Sequence, residues 1–149
     1  MILVAQTLRV SPPLWPFVER GVAFGMTYGL GPCGYDIRVV ESFILWPKSN
    51  RRCSSLEFFD IPPSMAARVH DKSTWARRFV VVQNTFLEPG WRGYLTLELS
   101  NHSWSVVRIQ HGMPIAQVTF ELLDKPTDKP YRGKYYDQSP GAHGPLYDR

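Results

Sequence analysis

The sequence predicts an all-β fold, a barrel or distorted jelly roll built from many short strands. Apolar and polar residues alternate with period two in several segments, whereas few segments show a helical period. Turns rich in glycine and proline recur about every ten residues. With 149 residues, of which 44% are hydrophobic and 13% aromatic, the chain can bury a sizeable core. We expect one β-barrel domain over residues 1–123, including an N-terminal arm, and a flexible lid or tail over residues 124–149.

The N-terminal segment lacks the patterns of regular structure. The prolines within residues 11–16 exclude helix and central strand, so residues 1–20 are predicted to form an extended arm. Residues 21–34 carry five glycines among aromatic residues and are predicted to form a loop. This loop lacks the Gly-Lys-Ser/Thr ending of a phosphate-binding loop.

The following segments alternate between strand and loop. Residues 35–45 are predicted to form a strand and residues 46–52 a basic loop. Arg51 and Arg52 in that loop are either solvated or in contact with phosphate or nucleic acid. Another strand is predicted over residues 56–61, where it ends at a pair of prolines.

A short basic helix is predicted after residues 64–69, which form either a helical turn or a strand. Ser73 or Thr74 can cap this helix, leaving backbone N–H groups and the positive end of the helix dipole pointing outward. Such a terminus attracts anions, and Lys72 adds a positive charge beside it. Capped basic turns are common on ordinary surfaces, so this segment alone does not assign a function.

The most informative strand is predicted over residues 95–100, after a turn at Pro89 and Gly90. Its leucines face a core, while Glu98 faces the opposite way, although Glu has a poor β propensity. Two interpretations are open: a solvated outer face of an antiparallel sheet, or a general acid/base on a rigid strand. The remaining predicted strands cover residues 79–83, 104–109 and 115–122.

Composition and charge exclude several classes of protein. No run of about 18 apolar residues exists, and the first residues lack a basic leader, so we expect a cytoplasmic protein without a membrane span. The net charge of +4 suits an anionic partner, either a nucleotide or a nucleic acid. Cys33 and Cys53 are too few for a four-ligand zinc site. The His-x-Glu and Pro-Cys-x-x-Cys segments of zinc-dependent nucleobase deaminases are also missing from the sequence, so we expect no zinc.

Four segments resemble, in order and spacing, the motifs of the dCTP deaminase family. The central segment is LEPGWRGYLTLELSN (residues 87–101), which resembles the family's acid-Pro-Gly-Trp turn and its Leu-Glu-aliphatic-x-Asn strand. The others are GYDIR (34–38), KSTWAR (72–77) and KYYDQ (134–138). They resemble, in turn, the family's Tyr-Asp-aliphatic-Arg strand, Arg-Ser-Ser-Leu-Ala-Arg motif and Lys-Tyr-x-x-Gln tail. Together the four segments span most of the chain.

The resemblance implies a dUTPase-like β-barrel assembled as a homotrimer, with sites at the subunit interfaces. It also implies the zinc-independent hydrolytic deamination of dCTP to dUTP and ammonia. Glu98 would take a proton from water and later give one to the leaving ammonia. Ser73 would position the water, and Arg77 would be a fixed cation near Glu98, because arginine remains charged. An ordinary ion pair between Arg77 and a neighbouring acid is the structural alternative.

The same resemblance implies a set of contacts with the substrate. The residues are Lys72, Ser73 and Thr74 for the phosphates, Glu88 for the sugar 3′-hydroxyl, Trp91 for the sugar or the shape of the pocket, Asn84 and Thr85 for the base, and Tyr135 and Gln138 from the tail. The tail would close over the nucleotide and exclude water. Mg²⁺ would accompany the triphosphate, held by phosphate oxygens and water and not by a protein cage.

Several positions differ from the family pattern. Lys72 stands where arginine is usual, and Glu88 where aspartate is usual. Asn84 and Thr85 replace the Ala-His pair before the turn, and Phe86 occupies a position often taken by arginine. Because this hairpin is expected to read the base, the differences bear on base specificity.

Three alternatives to a dCTP deaminase remain. The sister family of dUTP diphosphatases has the same trimeric fold, and residues 71–73 (Asp-Lys-Ser) fit its motif as well. Glu98 and the lack of a Gly-rich, Phe-containing tail favour the deaminase. A bifunctional dCTP deaminase/dUTPase that converts dCTP to dUMP stays open. A non-catalytic β-barrel that binds nucleotide or nucleic acid through Arg51 and Arg52 belongs to another class. The predicted catalytic set argues against it, so we do not expect a nucleic-acid partner.

Overall fold

Antiparallel strands dominate the computed structural model of the chain, which describes residues 1–83 and 85–148. The helices are α1 (Ala5–Val10) and α2 (Ser73–Ala76). The strands are β1 (Leu14–Trp15), β2 (Gly21–Ala23), β3 (Met26–Gly31), β4 (Gly34–Arg38), β5 (Phe43–Leu45), β6 (Asn50–Asp60), β7 (Met65–Asp71), β8 (Val80–Val82), β9 (Phe86–Leu87), β10 (Arg92–Asn101), β11 (Val107–Ile109) and β12 (Pro114–Leu122). The predicted all-β class is confirmed. No helix in the described ranges is both long and apolar enough to cross a membrane.

The strands form two large sheets and one small sheet. A six-stranded sheet has the order β2-β3-β4-β12-β7-β9, and a four-stranded sheet has the order β1-β6-β10-β8. β5 and β11 pair separately. One hydrophobic core includes buried side chains from both large sheets, for example Phe59 and Leu97 from one and Ile37, Val69 and Phe120 from the other. The two sheets are therefore held together by burial of apolar surface.

β10 has the side-chain alternation that the sequence predicts. Leu95, Leu97 and Leu99 are buried, while Thr96 and Glu98 between them are only partly buried and face away from the core. β10 pairs with β6 on one side and with β8 on the other. Its central position fixes the register, because a slip of one residue would exchange the core face and the outer face.

A buried ion pair joins the two large sheets. In β6 the register to β10 shifts between the pairs Tyr94–Phe58 and Thr96–Ser54, so β6 has a bulge there. Within this irregular segment, the fully buried Glu57 carboxylate accepts hydrogen bonds of 2.9 Å from both the backbone N–H and the Nε–H of Arg38 in β4. Burial raises the pKa of Glu57, while these hydrogen bonds and the Arg38 charge oppose that rise.

The predictions for the N-terminal segment were wrong in two places. Ala5–Val10 is helical and not an extended arm, because the prolines begin only downstream and Leu8 can be fully buried. The predicted loop over residues 21–34 contains β2, β3 and the start of β4. Its glycines permit close backbone contact: at Gly29, whose φ is +97°, a Cβ would lie 2.6 Å from the carbonyl oxygen of Val18.

Three further predictions needed correction. The strand over residues 35–45 is interrupted, since β4 pairs with β12 whereas β5 pairs with β11. The predicted basic loop ends early: β6 begins at Asn50, because residues 50–54 pair with β10. At α2, neither predicted side chain caps the helix; the N-cap residue is Lys72, which makes no side-chain capping hydrogen bond. Residues 64–69, for which two forms were open, belong mostly to β7.

Replacing Glu57 tests the role of the buried ion pair. We predict that Glu57→Ala lowers the free energy of unfolding by about 3–5 kcal/mol, because it leaves the Arg38 charge and backbone N–H without their partner. Urea denaturation followed by circular dichroism measures this loss. As the matched control, Glu19→Ala removes an exposed ion pair with Arg9 and should leave the midpoint unchanged. Equal midpoints for the two variants would contradict the role assigned to Glu57.

Candidate active site

A cavity of about 940 Å³ lies on the outer face of β10. Its floor is formed by residues of β10 and β6, one side by the hairpin around β9, and another side by the C-terminal tail. Six of the predicted site residues line it: Thr85, Glu88, Trp91, Glu98, Tyr135 and Gln138. Asn84, predicted to contact the base, lies outside the described residues. The cavity therefore brings together the predicted acid/base, the hairpin and the tail.

Glu98 is half-buried in this cavity. Its position in β10 follows from the alternation, which turns the neighbouring leucines into the core and the carboxylate outward. Burial raises the pKa of Glu98, while a hydrogen bond from its own backbone and the positive charge of Arg52 oppose that rise. A carboxyl group in this setting can both accept and donate a proton, as general acid/base chemistry requires.

The neighbouring strand β6 places polar side chains on the same face. Arg52 is directly opposite Glu98, and Asn50 is directly opposite Ser100; all four residues line the cavity. Side chains that are directly opposite in antiparallel strands lie on the same face of the sheet. A cation thus lies beside the predicted acid/base within one chain.

The C-terminal tail is bound to β10 through backbone and side-chain hydrogen bonds. Gln138 forms a parallel bridge with Gly93, and its carbonyl accepts a hydrogen bond of 2.9 Å from the Tyr94 backbone N–H. The Gln138 amide donates to the Tyr94 carbonyl at 2.8 Å and to Thr96 Oγ1 at 2.9 Å. His143 lines the cavity, and its backbone N–H donates to Thr96 Oγ1 at 3.4 Å.

The hairpin and the tail are joined through Trp91. Its buried indole Nε1–H donates a hydrogen bond of 2.7 Å to the carbonyl of Tyr135, and its ring packs near Phe59 in the core. Tyr131 makes a second link, since its backbone N–H donates to the Pro89 carbonyl at 2.8 Å. These contacts give the tail a defined position over the cavity although it contains no helix or strand in the range 124–148.

The α2 residues lie outside this cavity. Ser73, Thr74 and Arg77 are exposed and are not among its lining residues. α2 is anchored by Trp75, whose indole N–H donates to the Pro114 carbonyl at 2.7 Å. Lys72 is buried and forms an ion pair with Asp36 in β4. One chain therefore brings Glu98 and the tail together, but not Glu98 and the α2 residues.

Other lining residues were not among the sequence-predicted site residues, and they include Arg52, Thr96, Tyr131 and His143. Arg52 was assigned to a loop, so its pairing with Glu98 could not be seen. Thr96 could have been found, because it lies two residues before Glu98 on the same face of the predicted strand. Tyr131 and His143 lie in a tail without periodicity, and the sequence carries no signal that would place them.

Solved structures of two enzyme types share the fold. The 2′-deoxycytidine 5′-triphosphate deaminase of Agrobacterium tumefaciens aligns with a TM-score of 0.65 and 15% identity, over 81% of this chain and 48% of that chain. A mutant dUTPase from phage phi11 of S. aureus, studied for its structural Mg(II) ion, aligns with a TM-score of 0.56 and 16% identity, over 69% of this chain and 85% of that chain. The predicted dUTPase-like fold is confirmed.

Sequence comparison extends the likeness to curated relatives. A dCTP deaminase of Herpetosiphon aurantiacus is 32% identical over 83% of this chain and 85% of its own length. A dUMP-forming dCTP deaminase of Clavibacter michiganensis is 37% identical over 73% of this chain and 56% of its own length. The family model described as dCTP deaminase-like matches residues 35–123, which include β10 and the hairpin that form the cavity. The chain belongs to the dCTP deaminase-like family.

Proposed function

We propose that this protein deaminates dCTP hydrolytically to dUTP and ammonia, with Glu98 as the acid/base. The observation that carries the proposal is the half-buried carboxyl of Glu98 on a rigid central strand, facing a cavity closed on one side by the tail. Its raised pKa suits a group that must both accept and donate a proton. The names of the curated relatives supply the substrate class.

The proton steps balance on this one carboxyl group. Ionised Glu98 takes a proton from a water molecule as the water oxygen bonds to C4 of the cytosine ring. The same carboxyl gives this proton to ring N3, takes the remaining hydroxyl proton, and passes it to the amino nitrogen as the C4–N bond breaks and ammonia leaves. The ring ends as uracil with a proton on N3, and Glu98 is again ionised. A strand position favours this chemistry, because proton transfer tolerates little error in position.

We propose that the complete site needs a second subunit. Ser73 and Arg77 lie outside the cavity of their own chain, and they are exposed on a surface that a neighbour can reach. In the proposed homotrimer, α2 of one subunit approaches the cavity of the next, where Ser73 positions the attacking water and Arg77 supplies a fixed cation. This arrangement accounts for exposed polar residues on an otherwise well-anchored helix.

The proposed substrate contacts follow the positions of the cavity residues. Glu88 and Trp91 take the sugar, and Thr85 with the rest of the hairpin takes the base. Tyr135 and Gln138 cover the nucleotide from the tail.

The phosphates lie against Lys72, Ser73 and Thr74 of the neighbouring subunit in this proposal. Lys72 already donates to Asp36, but an ammonium group has three donors, so it can also reach a phosphate oxygen.

We propose that Mg²⁺ enters with the triphosphate in a cytoplasmic enzyme. Phosphate oxygens and water are the ligands that Mg²⁺ prefers, and the ion would neutralise phosphate charge. Over residues 1–83 and 85–148, no group of three His, Cys, Asp or Glu side chains could hold a metal ion. The donor set of the cavity therefore fits an ion carried by the nucleotide. The expected independence from zinc stays a prediction.

A second candidate function is a dUMP-forming deaminase, which also removes pyrophosphate. It is favoured by two relatives that carry this name, from Clavibacter michiganensis and Bifidobacterium longum, at 37% and 35% identity. In this candidate Glu88 has a second role, orienting water toward the α-phosphate. The chain covers only 56% and 61% of those relatives, so the name alone does not decide between the two functions.

Product analysis separates the candidate functions. The protein is incubated with dCTP or with dUTP in the presence of Mg²⁺, and ammonia and pyrophosphate are assayed separately. We predict ammonia without pyrophosphate from dCTP, and no product from dUTP. Ammonia together with pyrophosphate from dCTP would instead indicate the dUMP-forming enzyme, and Glu88→Gln should then release ammonia alone. Pyrophosphate from dUTP without ammonia from dCTP would indicate a diphosphatase and overturn the proposal.

Replacing the acid/base tests its role directly. We predict that Glu98→Gln lowers ammonia release from dCTP by at least about 10²-fold, because an amide cannot carry the proton. The matched control, Glu121→Gln, breaks an exposed ion pair with Arg68 outside the cavity and should keep full activity. Steady-state rates and circular dichroism on both variants separate lost chemistry from lost folding. An active, folded Glu98→Gln protein would refute the assigned role.

The contact of the tail with β10 gives a further prediction. At Gly93, whose φ is +138°, a Cβ would lie 2.6 Å from the backbone nitrogen of Gln138. We predict that Gly93→Ala displaces the tail, raises the KM for dCTP by about tenfold or more, and speeds tryptic cleavage at Arg132 and Lys134. Kinetics and limited proteolysis measure the two effects.

The control for this experiment is Gly31→Ala in β3, where a Cβ would make an ordinary contact of 3.6 Å with the Gly34 carbonyl oxygen. It should match the unmodified protein in both measurements. If Gly93→Ala also matches it, the tail does not depend on this close contact.

A further inference from the structure

We propose that Arg52 is a positioning residue for Glu98: from the neighbouring strand, its guanidinium holds the carboxylate in the ionised, water-activating form. The inference rests on the proposed deaminase function for its catalytic consequence. It assigns a role to an arginine that none of the four family-like motifs contains.

The register of β6 and β10 places the two side chains together. Arg52 is directly opposite Glu98, and the next pair along the strands is Leu97 with Cys53. Both members of that next pair are buried, so Arg52 and Glu98 must face the cavity side. In antiparallel strands the Cβ atoms of such a pair are about 5 Å apart. The guanidinium can therefore stay close to the carboxylate without any change in the backbone.

The surroundings of Glu98 otherwise favour its neutral form. Burial disfavours the charge, and in the described chain no side-chain donor hydrogen-bonds to this carboxylate. The influences that favour the charge are its own backbone N–H and Arg52. Without Arg52, a smaller fraction of Glu98 would be ionised, and so able to act as a general base, at the acidic end of the pH range.

Other titratable groups face the same cavity. They are Glu88 from the hairpin and Tyr131, Tyr135 and His143 from the tail. The His143 side chain already contacts the Ser139 carbonyl oxygen through Nε2 at 2.8 Å. Among these groups and Arg52, the Arg52 guanidinium is the cation that stays charged across the whole pH range of a titration.

Arg51 provides a natural comparison with Arg52. It is directly opposite Leu99, a core residue, so it leaves β6 on the other side of the sheet. Although Arg51 also lines the cavity, its guanidinium lies over the ring of Phe43, 4.7 Å from the centroid. The two arginines are adjacent, exposed and equally charged, but only Arg52 shares a face with Glu98.

Arg52 also extends toward the tail. Its Nη2 lies 3.9 Å from where a Cβ on Gly144 would be. Its guanidinium makes no hydrogen bond or ion pair with another side chain in the part of the chain that the structure describes. Since no other carboxylate engages it there, its charge remains available to Glu98.

The first test is an NMR titration of the carboxyl groups in protein labelled with ¹³C at the glutamate side chains. The unmodified protein is compared with Arg52→Gln, Arg52→Lys and Arg51→Gln, and the Glu98 signal is assigned from Glu98→Gln. We predict that the pKa of Glu98 rises in Arg52→Gln, stays close to its original position in Arg52→Lys, and does not change in Arg51→Gln. A pKa of Glu98 that is the same in all four proteins would overturn the proposal, as would equal rises in Arg52→Gln and Arg51→Gln.

The second test uses the pH profile of kcat/KM for ammonia release from dCTP. Because the ionised carboxylate is the active base, a higher pKa moves the acidic limb toward higher pH. We predict that Arg52→Gln loses about threefold on the acidic limb, the size of a solvent-exposed charge pair, and approaches the unmodified rate at higher pH. Arg51→Gln should leave the acidic limb at its original pH, because Arg51 does not share a face with Glu98. A uniform loss at every pH would point to a structural role for Arg52 and overturn the proposal.

The two tests separate this inference from the proposed function. The titration needs no turnover. If the pKa of Glu98 rises in Arg52→Gln but the unmodified protein releases no ammonia from dCTP, the deaminase assignment is refuted and the pairing of Arg52 with Glu98 still holds. Conversely, if the unmodified protein releases ammonia from dCTP but the pKa of Glu98 does not change in Arg52→Gln, the role of Arg52 is refuted and the deaminase assignment still holds.

Discussion

The alternation of side chains along β10 determines both the core and the cavity. Three leucines on one face pack into the apolar interior, and this burial forces the intervening Thr96 and Glu98 to the opposite face. Each leucine contributes about 1.5–3 kcal/mol by leaving water, which strongly favours this register over its alternatives. The position of Glu98 is thus set by the hydrophobic effect acting on its neighbours, and its own unfavourable β propensity is overridden.

The same strand organises the tail through its backbone. The tail lacks periodic apolar residues. Tyr131 packs against the core, and the other contacts use peptide groups of β10, the Trp91 indole and the Gln138 amide. Such hydrogen bonds are individually modest in water, about 1 kcal/mol each. The close approach also needs a residue without a side chain at Gly93. A segment held by such bonds can open at low cost, as the proposed lid role of the tail requires.

The sequence was informative where one strong pattern acted alone. The period of two around Glu98 and the Pro-Gly turn before it were sufficient to place the strand, its core face and its acid. The sequence was less informative where pairing partners decide the structure. Arg52 became part of a strand only because β10 extends its pairing to Asn50, and Ala5–Val10 became a helix because Leu8 finds a place in the core. These outcomes depend on contacts between distant segments, which local propensity does not contain.

Two glutamates of this fold differ in how their carboxyl groups are surrounded. Glu57 and Glu98 both lie in β-strands, and burial raises the pKa of each. Glu57 is enclosed, and Arg38 contacts both of its oxygens, so its carboxylate has no access to a substrate. Glu98 is instead only partly buried, and Arg52 lies directly opposite it on the neighbouring strand. In the described residues these two side chains form no ion pair within 4 Å. A carboxylate whose oxygens are both paired stabilises the fold. A carboxyl group whose pKa is raised by burial, but which remains open to a cavity, can still transfer protons. The difference follows from the alternation along β6: Glu57 lies two residues before the buried Phe59 and faces inward with it, whereas Arg52 and Glu98 lie on the outer face.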